Sequence, residues 1–289
     1  MNKASKVTAK KAIITAILAY VLLIISQVVA LLIGQAIGKI GVPKAVVSAI
    51  SGILYIVFIY LCVSILCQKV LGLEMKDCRI TKISIKPIWI IVALILPITI
   101  SGIYLLLPGT RVDTSMNTGD ICYTIVDAVV FYGIASGLAE ELVFRGIIMT
   151  ALEQCWNKYI AVIIPSMIFA LSHIIGADLD FISIVQLLIA GSIVGVMFSL
   201  ITYESNRIWN STIVHILWNI IIIGGILHIG VKPNEYFLFN YVLDSKSFMI
   251  TGGEFGIEAS AIATVGYVVV SILALFLMKK QKDISNKLK

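Results

Sequence analysis

The chain has 289 residues, of which 60% are hydrophobic and only 13% charged, with a net charge of +6 and a mean hydropathy of +1.04. Soluble domains carry about 25% charged residues, so an ordinary soluble fold is excluded and the chain reads as a multi-pass membrane protein.

The opening "MNKASKVTAK KAIITAILAY" resembles a cleaved leader. The apolar run after Lys11 nevertheless outlasts the roughly 7 to 15 residues of such a leader and shows no persuasive small-residue cleavage site, so it reads as a first helix. Spanning helices need about 20 apolar residues to cross about 30 Å of hydrocarbon. Eight runs qualify, near 12–34, 45–68, 87–107, 121–151, 159–176, 182–203, 208–230 and 259–278. The expectation is an all-α, polytopic membrane protein forming a single integral membrane domain over 1–289. No repeat, no low-complexity linker and no stretch long enough for a separate soluble domain interrupts it. The longest polar connection, 231–257, carries Tyr236, Phe237, Phe239 and Tyr241, residues suited to an interfacial belt.

Alternating the connections with the N-terminus inside places 17 of the 22 cationic residues on one side. Four lysines of the N-terminus, Lys69 to Lys86 of the second connection, Arg145, Lys158, Arg207 and the five C-terminal lysines make up that set. The positive-inside rule therefore puts both termini in the cytoplasm, with anionic membrane lipid as the partner of the basic rim and no further support for nucleic acid. Cys62, Cys67, Cys78, Cys122 and Cys155 are odd in number and lack a CxxC pair, which suits small buried apolar residues rather than metal or disulfide roles.

The fourth run is the odd one. It carries Asp127 and "GLAEELVFRG", residues 137–146, and is longer than one crossing needs. An ionisable side chain inside a span costs about 2.5 to 3.5 kcal/mol, so its default reading is functional and inward-facing. Glu141 and Arg145 have the spacing and order of a favourable helical ion pair, while Glu140 points about 100° away and is left free to act as a base. The bland alternative is a solvated helix end. In the fifth run, "FALSH" puts Phe169 one turn before His173, where the ring can pack beside an imidazole that is either catalytic or merely structural. In the seventh, "HILWN" sets His215 beside Asn219, two groups able to donate toward one point, as an oxyanion site or as interhelical glue. His228 and Asp127 read as structural, and Gly133, Gly137 and Gly146 as sites of close helix packing or a kink.

Together "EELVFR", "FALSH" and "HILWN" resemble the EExxxR, FxxxH and HxxxN motifs of the CAAX-protease and bacteriocin-processing (CPBP, or Abi) family of intramembrane endopeptidases. The motif-bearing core runs from about 121 to 222, and every motif position is kept. The resemblance implies peptide-bond hydrolysis in the membrane plane. Glu140 would activate water, His173 would help hold it, His215 and Asn219 would line an oxyanion hole, and Glu141, Arg145 and Phe169 would support the site. It also brings in zinc, since members are often named metalloproteases and Glu140, His173 and His215 match the type of ligand set used by catalytic zinc. HExxH is absent and Asn219 is a better oxyanion donor than zinc ligand, so a metal-free mechanism is preferred. A non-catalytic immunity or scaffold protein and a proton-coupled transporter are the competing classes; the intact motifs count against the first and the missing internal repeat against the second. A composition rich in Ile, Lys and Asn suggests a bacterial plasma membrane, which favours peptide maturation or self-immunity over a prenylated substrate. Depth is the open question: His173 lies about 22 Å along its helix and His215 only about 10 Å along its own, so the helix ends must be uneven or the site must be a cone-shaped cavity.

Overall fold

The computed structural model describes residues 7–287. Lys3, Lys6 and Lys289 of the expected basic rim lie outside the described residues.

Eight helices carry the described chain. They are α1 (Ala9–Gly38), α2 (Lys44–Leu71), α3 (Pro87–Leu105), α4 (Thr118–Cys155), α5 (Lys158–Ser172), α6 (Phe181–Ser205), α7 (Trp209–Ile223) and α8 (Ala261–Lys287). Six of them are long and apolar enough to cross a membrane, whereas α5 and α7 are shorter. The shortening has local causes. The chain leaves helical geometry after Ser172 and turns through Gly176 at positive φ, and α7 stops at the Gly224–Gly225 pair, where Gly225 also takes positive φ. Aliphatic side chains cover the outward faces of α1, α2, α3 and α8, among them Ile17, Leu32, Leu61, Ile95 and Ile272. Only a lipid solvent makes such an extended apolar surface stable.

A small sheet departs from the all-helical expectation. Strands β1 (Gly109–Asp113), β2 (Leu227–Gly230) and β3 (Phe239–Leu243) pair in the order β1-β3-β2, with β1 antiparallel and β2 parallel to β3. The third and seventh connections thus meet at one end of α3. At its other end, Lys86 and Gln281 reach Glu204, Trp209 donates to the Thr81 carbonyl, and the Ile208 amide bonds the Arg79 carbonyl.

Two apolar cores result. One unites α1, α2, α4 and the Cys78–Ile80 turn; the other unites α3, α6, α7, the sheet and α8. They meet where α4 lies against α7. Gly133 and Gly137 allow that approach, because a Cβ at Gly133 would sit 2.4 Å from Ile220 and one at Gly137 would sit 3.1 Å from Ile216. Gly146 similarly admits Ile80. Asp127 is held by Ser48 at 2.6 Å, consistent with a structural part. Cys67 and Cys78 are buried with their sulfurs 3.2 Å apart, whereas Cys122 is exposed, so the uniform burial expected of the cysteines does not hold.

Candidate active site

Within α4 the backbone is π-helical over Asp127–Ser136 and Leu142–Ile148, with a true α-turn, Gly137–Glu141, between them. Such widened turns cluster at functional sites because they release main-chain carbonyls. Here the Tyr132 carbonyl accepts from Asn219 Nδ2 at 3.0 Å, tying α4 to α7 beside the acidic pair. The second Asn219 N–H remains available.

Glu141 is wholly buried, and both its oxygens are engaged. Oε1 lies 3.1 Å from Arg145 Nη1 and 3.2 Å from His215 Nδ1, and Oε2 accepts from the Ser211 hydroxyl. Arg145, 1% exposed, also donates to the Gly195 carbonyl at 3.1 Å and has the rings of Phe169 and Phe198 within 4.8 and 5.1 Å of its guanidinium carbon. These rings are the compensation that a buried cation needs where hydrogen-bond partners are few.

Glu140 has a different environment. Oε1 accepts from Ser136 at 2.9 Å, but Oε2 is buried with no hydrogen-bond partner and lies 3.7 Å from His215 Nε2. That gap is longer than a hydrogen bond, so the two groups face each other without one. His215 therefore bridges the two glutamates: Nδ1 donates to Glu141, and Nε2 faces Glu140. Phe198 stacks on its ring at a centroid distance of 4.6 Å.

His173 stands just past the end of α5. Its Nδ1 lies 2.7 Å from the Phe169 carbonyl, and a carbonyl only accepts, so the proton sits on Nδ1 and Nε2 keeps its lone pair. Phe169 contacts both imidazoles, with ring centroids 4.7 Å from His173 and 6.0 Å from His215.

Glu140, His173, His215 and Asn219 line one cavity of about 340 Å³. Glu140 and His173 also line a second cavity of about 250 Å³ toward α1 and α2, so these two residues form the partition between them. The Cys78–Ile80 turn is buried, and α7 begins against it, with Ile208, Asn210 and Ser211 fully buried, which starts α7 inside the bundle rather than at its rim.

Four contributors to this site have no signal in the three motifs. Ser136 and Ser211 bond the glutamates, and Phe255 and Glu258 enter the cavity from the turn before α8. Ser136 is four residues before Glu140 and Ser211 four before His215, a spacing that sequence could have flagged. Among the described residues no group of three His, Cys, Asp or Glu side chains converges to hold a metal ion, so Glu140, His173 and His215 do not form a zinc-ligand set as they stand.

A mostly helical chain with six helices able to cross a membrane, and with a glutamate and two histidines lining one cavity, defines a polytopic membrane protein with a candidate hydrolytic centre. Residues 123–221, about a third of the chain, match the family model described as Type II CAAX prenyl endopeptidase Rce1-like. The segment that carries all three motifs is thus CAAX-protease-like, as the motifs imply. No curated protein and no solved structure gives a significant match.

Proposed function

We propose that the protein is an intramembrane endopeptidase that hydrolyses a peptide bond of a membrane-associated peptide or protein with water activated by Glu140. The observation that carries this reading is the unpartnered Oε2 of Glu140, a residue that lines one cavity together with both histidines. A carboxylate with a free lone pair beside two imidazoles is suited to act as a general base. His173 Nε2 is the second acceptor for that water. Attack on the carbonyl produces an oxyanion, for which Asn219 retains one N–H. His215 can donate from Nε2 only when its ring carries both protons, and in that state it lies between two carboxylates, Glu141 and Glu140. Glu141 and Arg145 fix the helix and, through His215, the base.

No step requires a metal in this account. The basic rim supports cytoplasmic termini, and the composition supports a bacterial plasma membrane, where peptide maturation or self-immunity is the role proposed. An immunity or scaffold protein without catalysis has no use for an unsatisfied buried carboxylate, a feature that costs about 1 to 3 kcal/mol or more to maintain.

Purified wild type and Glu140→Ala, assayed on quenched membrane peptides and prenylated peptides with bound metal quantified, test the reading. Cleavage by the wild type and none by the variant is expected, with the metal content independent of activity. Full activity in Glu140→Ala would remove Glu140 as the base, and activity tracking zinc content would overturn the metal-free mechanism.

A further inference from the structure

The wall of the catalytic cavity is completed from outside the family-matched segment. The turn Ile257–Ala259, immediately before α8, brings the Glu258 side chain to the cavity that holds Glu140, His173 and His215. The turn is well fixed: Ala259 and Ser260 are buried, and the Tyr267 hydroxyl donates to the Glu258 main-chain carbonyl at 3.0 Å. Glu140, Tyr132, His173, His215 and Tyr267 face it across the catalytic cavity, together with the Trp218 indole. On its other side a second pocket is lined by His228, Lys232 and Glu254. Among the described residues no lysine or arginine lines the catalytic cavity. Burial pushes the Glu258 carboxyl up to about 8; the neighbouring Trp218 indole opposes the rise, and the nearby Glu140 charge adds to it. Two carboxyl groups in one cavity do not both ionise readily, and environments that separate two such groups divide them into a base and an acid.

We propose that Glu258 is a second catalytic carboxyl of this site, the acid that protonates the leaving amine while Glu140 takes a proton from water. The proposal rests on the endopeptidase reading and deepens it. In the forward step the Glu140 carboxylate removes one proton from water, and the hydroxide oxygen bonds to the scissile carbonyl carbon. The C–N bond then breaks, and the Glu258 carboxyl transfers its proton to the nitrogen, which departs as a neutral amine. The new carboxylic acid ionises, and the protons on Glu140 and in the cavity are redistributed to restore a carboxylate at Glu140 and an acid at Glu258. Water and amide are consumed, acid and amine are formed, and no oxidant or cofactor enters.

The test compares a cleaved peptide with an aryl ester of the same acyl sequence, whose phenolate leaves without protonation. Glu258→Gln should lose about 100-fold or more in kcat on the peptide and stay within a few-fold of wild type on the ester. Glu140→Gln should lose both. The wild-type kcat on the peptide should fall above about pH 8, the limb set by the Glu258 acid, and the residual activity of Glu258→Gln should lack that limb. Equal losses on both substrates, or a peptide rate and alkaline limb unchanged from wild type, would overturn the proposal while leaving the Glu140 reading intact. A wild type inert toward both substrates would overturn both. Should Glu258→Gln fail to fold, Trp218→Phe removes the polar indole N–H beside the carboxyl, a group that lowers its pKa, so the alkaline limb should move to higher pH; an unmoved limb counts against the proposal.

Discussion

Adjacent residues of α4 carry two carboxylates with opposite surroundings. Around Glu141 the layer is closed: Arg145, His215 and Ser211 occupy its oxygens, and three aromatic rings enclose the guanidinium. Around Glu140 the layer is open, with one oxygen bonded to Ser136 and the other facing a cavity. The helical period alone separates them, since a one-residue step of about 100° turns one side chain into the packed seam and the other toward the cavity. The closed layer ties α4 to α6 and α7, and the open layer is where the proposed mechanism puts water and substrate. His215 belongs to both, which is how the packed layer orients the reactive one.

The sharpest way to break this contrast is at Glu140. Replacing it by Gln should cut kcat by about 100-fold to 10,000-fold with little change in melting temperature, because a neutral amide can keep the Ser136 contact. Arg145→Ala should act in the reverse sense. It strands the wholly buried Glu141 charge at a cost of about 3 to 5 kcal/mol, and thermal unfolding in detergent should show a large fall or no folded protein. Asn219→Ala removes a proposed oxyanion donor and the Tyr132 tie; kcat should drop by about 100-fold to 1,000-fold, with KM changed little in steady-state assays. Ser211→Ala leaves a Glu141 oxygen short of one donor, for about 1 to 3 kcal/mol of stability, measurable as a modest melting shift with activity retained.

The contrast also extends to a pH dependence of stability. The Glu258 carboxyl sits above its ordinary value in the folded chain, so the folded state holds its proton more tightly than the unfolded state does. Its contribution is present in full below the ordinary carboxylate range and is lost as pH rises through about 8. Melting temperature should therefore decline over that window in the wild type and decline less in Glu258→Gln.

Much of the closed layer is legible in the sequence. A four-residue spacing with the acid first is enough to pair Glu141 with Arg145, and the same geometry frees Glu140. The contact of Glu141 with His215 is not legible, because it depends on α4 and α7 approaching across Gly133 and Gly137, 74 residues apart in the case of the two side chains. Glu258 escapes for a related reason: at the edge of a polar connection a lone glutamate reads as solvated, and only the turn before α8 brings it to the cavity. The sheet escapes because its strands are of four and five residues and β1 pairs with a segment far along the chain. Apolar runs do indicate the helices, but glycine turns, rather than the loss of hydrophobicity, decide where α5 and α7 stop.

The most direct test of the division between the two layers is to measure peptide hydrolysis and melting temperature together for Glu140→Gln and Glu141→Gln in the same detergent. The structure predicts a crossed result, with activity lost and stability kept in Glu140→Gln, and stability lost in Glu141→Gln. Two variants that lose activity and stability in parallel, or a Glu140→Gln protein that cleaves at the wild-type rate, would contradict the division.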